Sequence, residues 1–141
     1  IGGSLAIGVA FGVPGALGAS WCGNRFGRLL PLTLGAALTV AALLLLLDDN
    51  LGGATYIVSL ALYNFAWNFS LAFQYAAVNA ADDSGRSVAL APAFHGSGGA
   101  VGPAVAALFV GVGSFAAVSV LAGMATLLSL VLFALALRHR D

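Results

Sequence analysis

The placement of charge constrains this chain more than any other feature. No Asp, Glu, Lys or Arg occurs from Ile1 to Trp21, from Leu29 to Leu47, from Leu51 to Ala81 or from Ser87 to Leu137. A helix over Leu29 to Leu47 would be about 28 Å long, close to the hydrocarbon thickness of a bilayer. The last run is long enough for two such helices, and its GVGSF stretch from Gly111 to Phe115 supplies the turn that divides them. Continuous apolar runs of this length argue against bilayer strands, which read as short alternating segments. The expected fold class is therefore all-α, a polytopic transmembrane helix bundle with five spans at 1–21, 29–47, 54–80, 88–111 and 115–137.

Composition excludes the soluble alternative. Charged residues make up 7% of the chain and hydrophobic ones 61%, whereas a soluble domain carries charge at roughly a quarter of its positions. So few charged groups cannot cover a compact domain in water, and the lipid bilayer is the expected partner. A net charge of zero with no basic patch gives no basis for nucleic-acid binding. Cys22, the single cysteine, cannot form an internal disulfide. Ile1 opens directly into an apolar run without the pattern of a secretory signal, so a fragment of a longer polypeptide is expected.

Five alternating spans place the Arg25 and Arg28 loop, the Arg86 loop and the tail with Arg138 and Arg140 on one side. Ile1, the Asp48 and Asp49 loop and the Gly111 turn fall on the other, without a basic residue. Short cytoplasmic loops collect Lys and Arg, so the C-terminus is expected to be cytoplasmic and Ile1 external.

The stretch WCGNRFGRLL, Trp21 to Leu30, connects the first two spans and holds two of the five basic residues. Arginines here serve topology and can meet anionic headgroups or the carbonyl ends of helices. Asn24, Arg25, Gly27 and Arg28 also reproduce the core of the pattern D-R-x-G-R, which resembles the loop motif of the major facilitator superfamily of secondary transporters. Asn24 stands in place of the acid, Ser20 in place of the leading glycine and Leu29 in place of a basic residue. Further along, AWNFSLAFQY and DDSGRSVALAPAFHGSGGAVGPAVAALF look like the tenth span, cytoplasmic loop and eleventh span of bacterial members.

The resemblance implies spans eight to twelve of a twelve-span carrier, in which a weaker copy of the motif joins spans eight and nine. Spans two to six would have the same topology. The C-terminal placement is preferred because the motif is degraded, the third segment lacks an intramembrane arginine, and no long loop follows the fifth helix. The implied partners are the missing N-terminal half of the same polypeptide and a small-molecule substrate. The implied location is a bacterial inner membrane, and the implied role of the Arg25 and Arg28 loop is to stabilise one transport conformation.

Polar residues at membrane depth mark the candidate site. Asn64, Asn68, Tyr75 and Asn79 recur at near-helical spacing, with Trp67 near the middle of the segment. Amides are costly in hydrocarbon unless paired, so this face is expected to meet either a neighbouring helix or a watery cavity. Asn64, Trp67, Asn68 and Tyr75 are the substrate-cavity candidates; Gln74 lies off the stripe by about one residue's rotation. His95 is the one titratable side chain well inside a span, suited either to moving a proton or to satisfying a carbonyl freed by a bend. Gly8 and Gly12, continued by Gly15 and Gly18, and Gly98 and Gly102 form small-residue pairs for close helix contact, and Pro92 and Pro103 are expected to bend the fourth span.

Enzyme chemistry is not expected. One cysteine and two histidines make no metal cluster, and the adjacent acids Asp48 with Asp49 and Asp82 with Asp83 read as caps or solvated turns. GSGGAVGP follows no strand and lacks a lysine, which weakens a phosphate-binding reading. No cofactor is expected. Two functions remain: secondary transport by alternating access, or a non-transporting membrane subunit whose polar residues serve assembly. A channel would need a continuous polar pore, which one polar stripe does not supply.

Overall fold

A computed structural model describes residues 2–47, 52–82, 84–110 and 115–138. These form six helices: α1 (Gly2–Ala10), α2 (Gly12–Cys22), α3 (Leu29–Leu45), α4 (Gly53–Ala81), α5 (Arg86–Val110) and α6 (Phe115–Arg138). No strand occurs among the described residues. Asp48, Asp49, Asp83, Arg140 and the Gly111 turn, Gly111 to Ser114, lie outside them.

The region read as one span over 1–21 is two helices joined at Phe11. Pro14 is the physical cause: lacking an N–H, it cannot bond the Ala10 carbonyl, and its ring crowds that oxygen. The chain tightens there, with the Phe11 N–H bonded to the Gly8 carbonyl at 3.1 Å. Helical packing nonetheless continues from Leu5 to Cys22, apolar and long enough for one crossing. In contrast, α5 runs through Pro92 and Pro103 as one helix.

Among the described residues, four helical stretches are long and apolar enough to cross a membrane: Leu5–Cys22, Gly53–Ala81, Arg86–Val110 and Ala116–Arg138. The fifth apolar helix, α3, has 17 residues, about 25 Å of rise against about 30 Å of hydrocarbon. The distribution of side chains across the bundle is the inverse of a water-soluble core. Its interior is built largely from small residues: Gly8, Gly12, Gly15, Ala19, Gly35, Ala36, Ala42, Ser59, Ala61, Ala66, Ser70 and Ala77 are buried. Large apolar side chains point outward, Trp21 at 69%, Phe94 at 73% and Leu108 at 72% exposure. Small residues let backbones approach where the surroundings are as apolar as leucine, and large ones face the lipid. The chain is thus organised as an integral membrane helix bundle.

Helix α4 is the axis of this bundle. The α1 and α2 glycines face it: a Cβ at Gly8 would lie 2.8 Å from the Leu60 Cβ, and one at Gly15 would strike the Phe65 carbonyl oxygen. On another side α3 docks through Gly35, which abuts the Ser70 hydroxyl. The Ser59 hydroxyl donates to the Ala42 carbonyl at 2.8 Å, tying α4 to α3 higher up. Such interhelical bonds contribute about 0.6 kcal/mol on average in membrane proteins. Phe69 and Phe73, with ring centroids 5.3 Å apart, form the apolar core with Ala19, Leu32 and Ala77, against which Leu130 and Phe133 of α6 pack. Helix α5 has no buried residue.

Candidate functional site

Two polar stripes run along α4, roughly 100° apart in helical rotation. The first holds Asn64, Asn68, Tyr75 and Asn79. Asn64 and Asn68 satisfy themselves locally: each side-chain amide donates at 2.9 Å to the carbonyl four residues back, Asn64 to Leu60 and Asn68 to Asn64. The Asn68 amide also sits against α2, 2.6 Å from where a Gly12 Cβ would stand. Asn68 is therefore in the α2 and α4 packing region, and neither amide lines a groove described below.

The second stripe, Tyr63, Trp67, Ser70 and Gln74, faces a groove of about 360 Å³ between α3, α4 and α6. Thr39 lines it from α3, and Thr126 and Ser129 from α6. The Tyr63 and Trp67 rings are stacked, 6.1 Å apart and inclined by 21°, and form one flat wall. A second groove of about 440 Å³ opens between α4, α5 and α6, lined by Tyr75, Phe94 and His95 among others. Leu71, Gln74, Ser129 and Phe133 belong to both and form the partition. The His95 ring meets Trp67 across this region at 5.0 Å, tilted by 51°.

The structure thus brings Trp67, Tyr75 and His95 to two adjoining grooves, leaves Asn68 against α2, and bonds Asn64 within its own helix. Ser70, Tyr63 and Gln74 are polar groove residues that the sequence reading did not single out as candidates. The period-3.6 signal was present, since Tyr63, Ser70 and Gln74 repeat at offsets of seven and four. The two amides on the neighbouring stripe give the stronger sequence signal because Asn is the costlier group in hydrocarbon.

At one end of the bundle lies the Asn24 to Arg28 loop. Gly27 has φ +67°, the left-handed region that favours glycine, and its N–H bonds the Asn24 carbonyl at 3.4 Å. This turn presents Arg28 at the start of α3 and Arg25 beside Trp21, whose ring lies 5.7 Å from the guanidinium carbon. A shallow groove joins Asn24, Gly27 and Arg28 to Ala80, Ala81 and Arg138, so the ends of α4 and α6 meet this loop. At the head of α5, Asp82 accepts from the Ser84 hydroxyl at 2.6 Å, the Ser84 N–H at 2.9 Å and the Ser87 N–H at 2.9 Å. The Ser84 side chain, followed by Ser87, holds this carboxyl well below the usual carboxylate range.

The glycine pairs differ in environment. Gly8 and Gly12 lie against α4, while Gly98 and Gly102, beside Pro103, have nothing within 4 Å of an added Cβ. Among the described residues no group of three His, Cys, Asp or Glu could hold a metal ion. No protein-family model, no curated protein and no solved structure matches the chain.

Proposed function

We propose that this chain is part of a secondary carrier that moves a small solute by alternating access, contributing five spans with its C-terminus in the cytoplasm. The observation that carries the reading is the α3, α4 and α6 groove, where Tyr63, Ser70, Gln74 and Ser129 converge among apolar helices. Hydrogen-bonding groups in a membrane are costly unless paired and mark solute pathways. The resemblance of the Asn24, Arg25, Gly27 and Arg28 loop to the major facilitator superfamily motif supports the same reading. On that basis the chain supplies the C-terminal portion of a twelve-span bacterial inner-membrane protein, and the loop arginines stabilise one of its states.

Counterflow in proteoliposomes carrying the full-length protein tests this. Gln74→Leu should cut solute exchange roughly tenfold, the effect of about 1.4 kcal/mol, while the yield of folded protein stays near wild type. Exchange and folded yield falling together would favour the second reading, a non-transporting membrane subunit. One observation speaks for that alternative: the Asn64 and Asn68 amides are satisfied within the chain, and Asn68 packs against α2.

A further inference from the structure

Intramembrane polar side chains in this protein have a common way of satisfying themselves. Thr33, Thr39, Asn64, Asn68, Ser97 and Thr126 each donate to a carbonyl three or four residues back in their own helix. Ser59 reaches across to the Ala42 carbonyl instead. Ser70 does neither. It is 7% exposed, and its hydroxyl is buried with no hydrogen-bond partner. Gly35 lies against its hydroxyl, and Ser70 also borders the α3, α4 and α6 groove. A buried hydroxyl left unpaired costs about 1–3 kcal/mol, which a partner reaching Ser70 from the groove would offset.

The rest of the lining defines what that is. Among the described residues, no Asp, Glu, Lys or Arg borders the groove. A charged solute would enter without a counter-charge, and desolvation costs several kcal/mol per ion. Hydroxyls from Tyr63, Ser70 and Ser129 and the Gln74 amide offer both donors and acceptors, which suits a neutral partner with several polar groups. The stacked Tyr63 and Trp67 rings present a flat apolar wall beside them. His95 contacts the Trp67 ring from α5 and lines the adjoining groove.

We infer that the α3, α4 and α6 groove binds an uncharged, multiply hydrogen-bonding small molecule with a flat apolar flank, anchored by Ser70 and Gln74 and laid against Tyr63 and Trp67. This inference names the substrate class of the carrier proposed above and rests on that reading for the step from binding to transport.

The test uses full-length protein in lipid nanodiscs and three probes with one shared ring: 4-nitrophenyl glucoside, 4-nitrophenyl phosphate and 4-nitrobenzylammonium. Tryptophan quenching that is lost in Trp67→Phe reports binding at this groove; calorimetry on the unsubstituted protein gives the affinities independently. The glucoside should bind saturably, and both charged probes at least about tenfold more weakly. Ser70→Ala should weaken glucoside binding roughly three- to tenfold, the worth of one hydrogen bond, while thermal stability holds or rises, since no bond within the chain is lost. Equal or tighter binding of a charged probe would overturn the inference. So would an unchanged glucoside affinity in Ser70→Ala, or no glucoside binding by either method. Glucoside binding as expected without flux in proteoliposomes would remove the carrier reading and leave the site assignment standing. Flux of a charged solute alone would do the reverse.

Discussion

Ser70 and Asn68 are two residues apart on α4, yet one borders a groove with its buried hydroxyl unpartnered and the other is folded against a glycine with its amide already bonded. Two positions of helical rotation are enough to separate a binding group from a packing group. Asp82 illustrates a third condition, a side chain whose work is local. Its carboxylate accepts three hydrogen bonds from Ser84 and Ser87 and thereby caps the first turn of α5. These bonds favour the ionised form, so its folded-state ionisation lies below the unfolded value of about 3.9. The stabilisation is therefore fully present above the unfolded value and is lost as pH falls through the folded one. Asp82→Ala should lower the thermal midpoint by a constant amount from pH 7 to about 5. The gap to wild type should close as both are taken below about pH 4. A gap that widens on acidification would contradict the capping role. The adjacency of acids and serines in DDSGRS made a cap legible in the sequence.

At the scale of elements, the glycines of α1 and α2 do what small residues do in membrane bundles, and they do so unequally. A methyl at Gly15 would strike the Phe65 carbonyl, which is backbone and cannot turn aside. At Gly12 it would meet the end of the Asn68 side chain, which can rotate. At Gly98 it would meet open space. Gly15→Ala should therefore destabilise by about 1–3 kcal/mol, Gly12→Ala by less, and Gly98→Ala should be neutral or slightly stabilising through helix propensity. Thermal unfolding of the three variants in one detergent gives the order, and a different order would refute the packing assigned to α1, α2 and α4. Pro14 belongs to this scale as well. Its place in an apolar run is visible in the sequence, but a proline near a span's middle can either kink or interrupt a helix, and the packing around it decides which.

For the whole molecule, the arrangement of ends matters most. The Asn24 to Arg28 loop, the end of α4 and the end of α6 lie together, bringing Arg28 and Arg138 to one end of the bundle. Whether the chain crosses five times depends on α3, which at 17 residues is shorter than the four stretches long enough to cross. A membrane-impermeant maleimide decides it in a Cys22→Ser background, using Phe26→Cys and Gly53→Cys on either side of α3. In intact cells Gly53→Cys should react and Phe26→Cys should not, with the pattern reversed in inside-out vesicles. Labelling of both from the same side would mean that α3 does not cross and would undo the alternation of spans.

The sequence by itself determined that this protein is helical and apolar. Uncharged runs far longer than a strand leave the backbone one way to satisfy its hydrogen bonds without water, and that constraint is local. It also showed the small-residue pairs and the polar positions of α4, since both are read from a period of 3.6. Only the tertiary structure decided which polar positions of α4 face a groove and which face a neighbour, and which glycine pair is occupied. Rotation of a helix about its axis is set by the surfaces packed against it, and α2, α3 and α6 are remote in sequence from the face of α4 that each one covers.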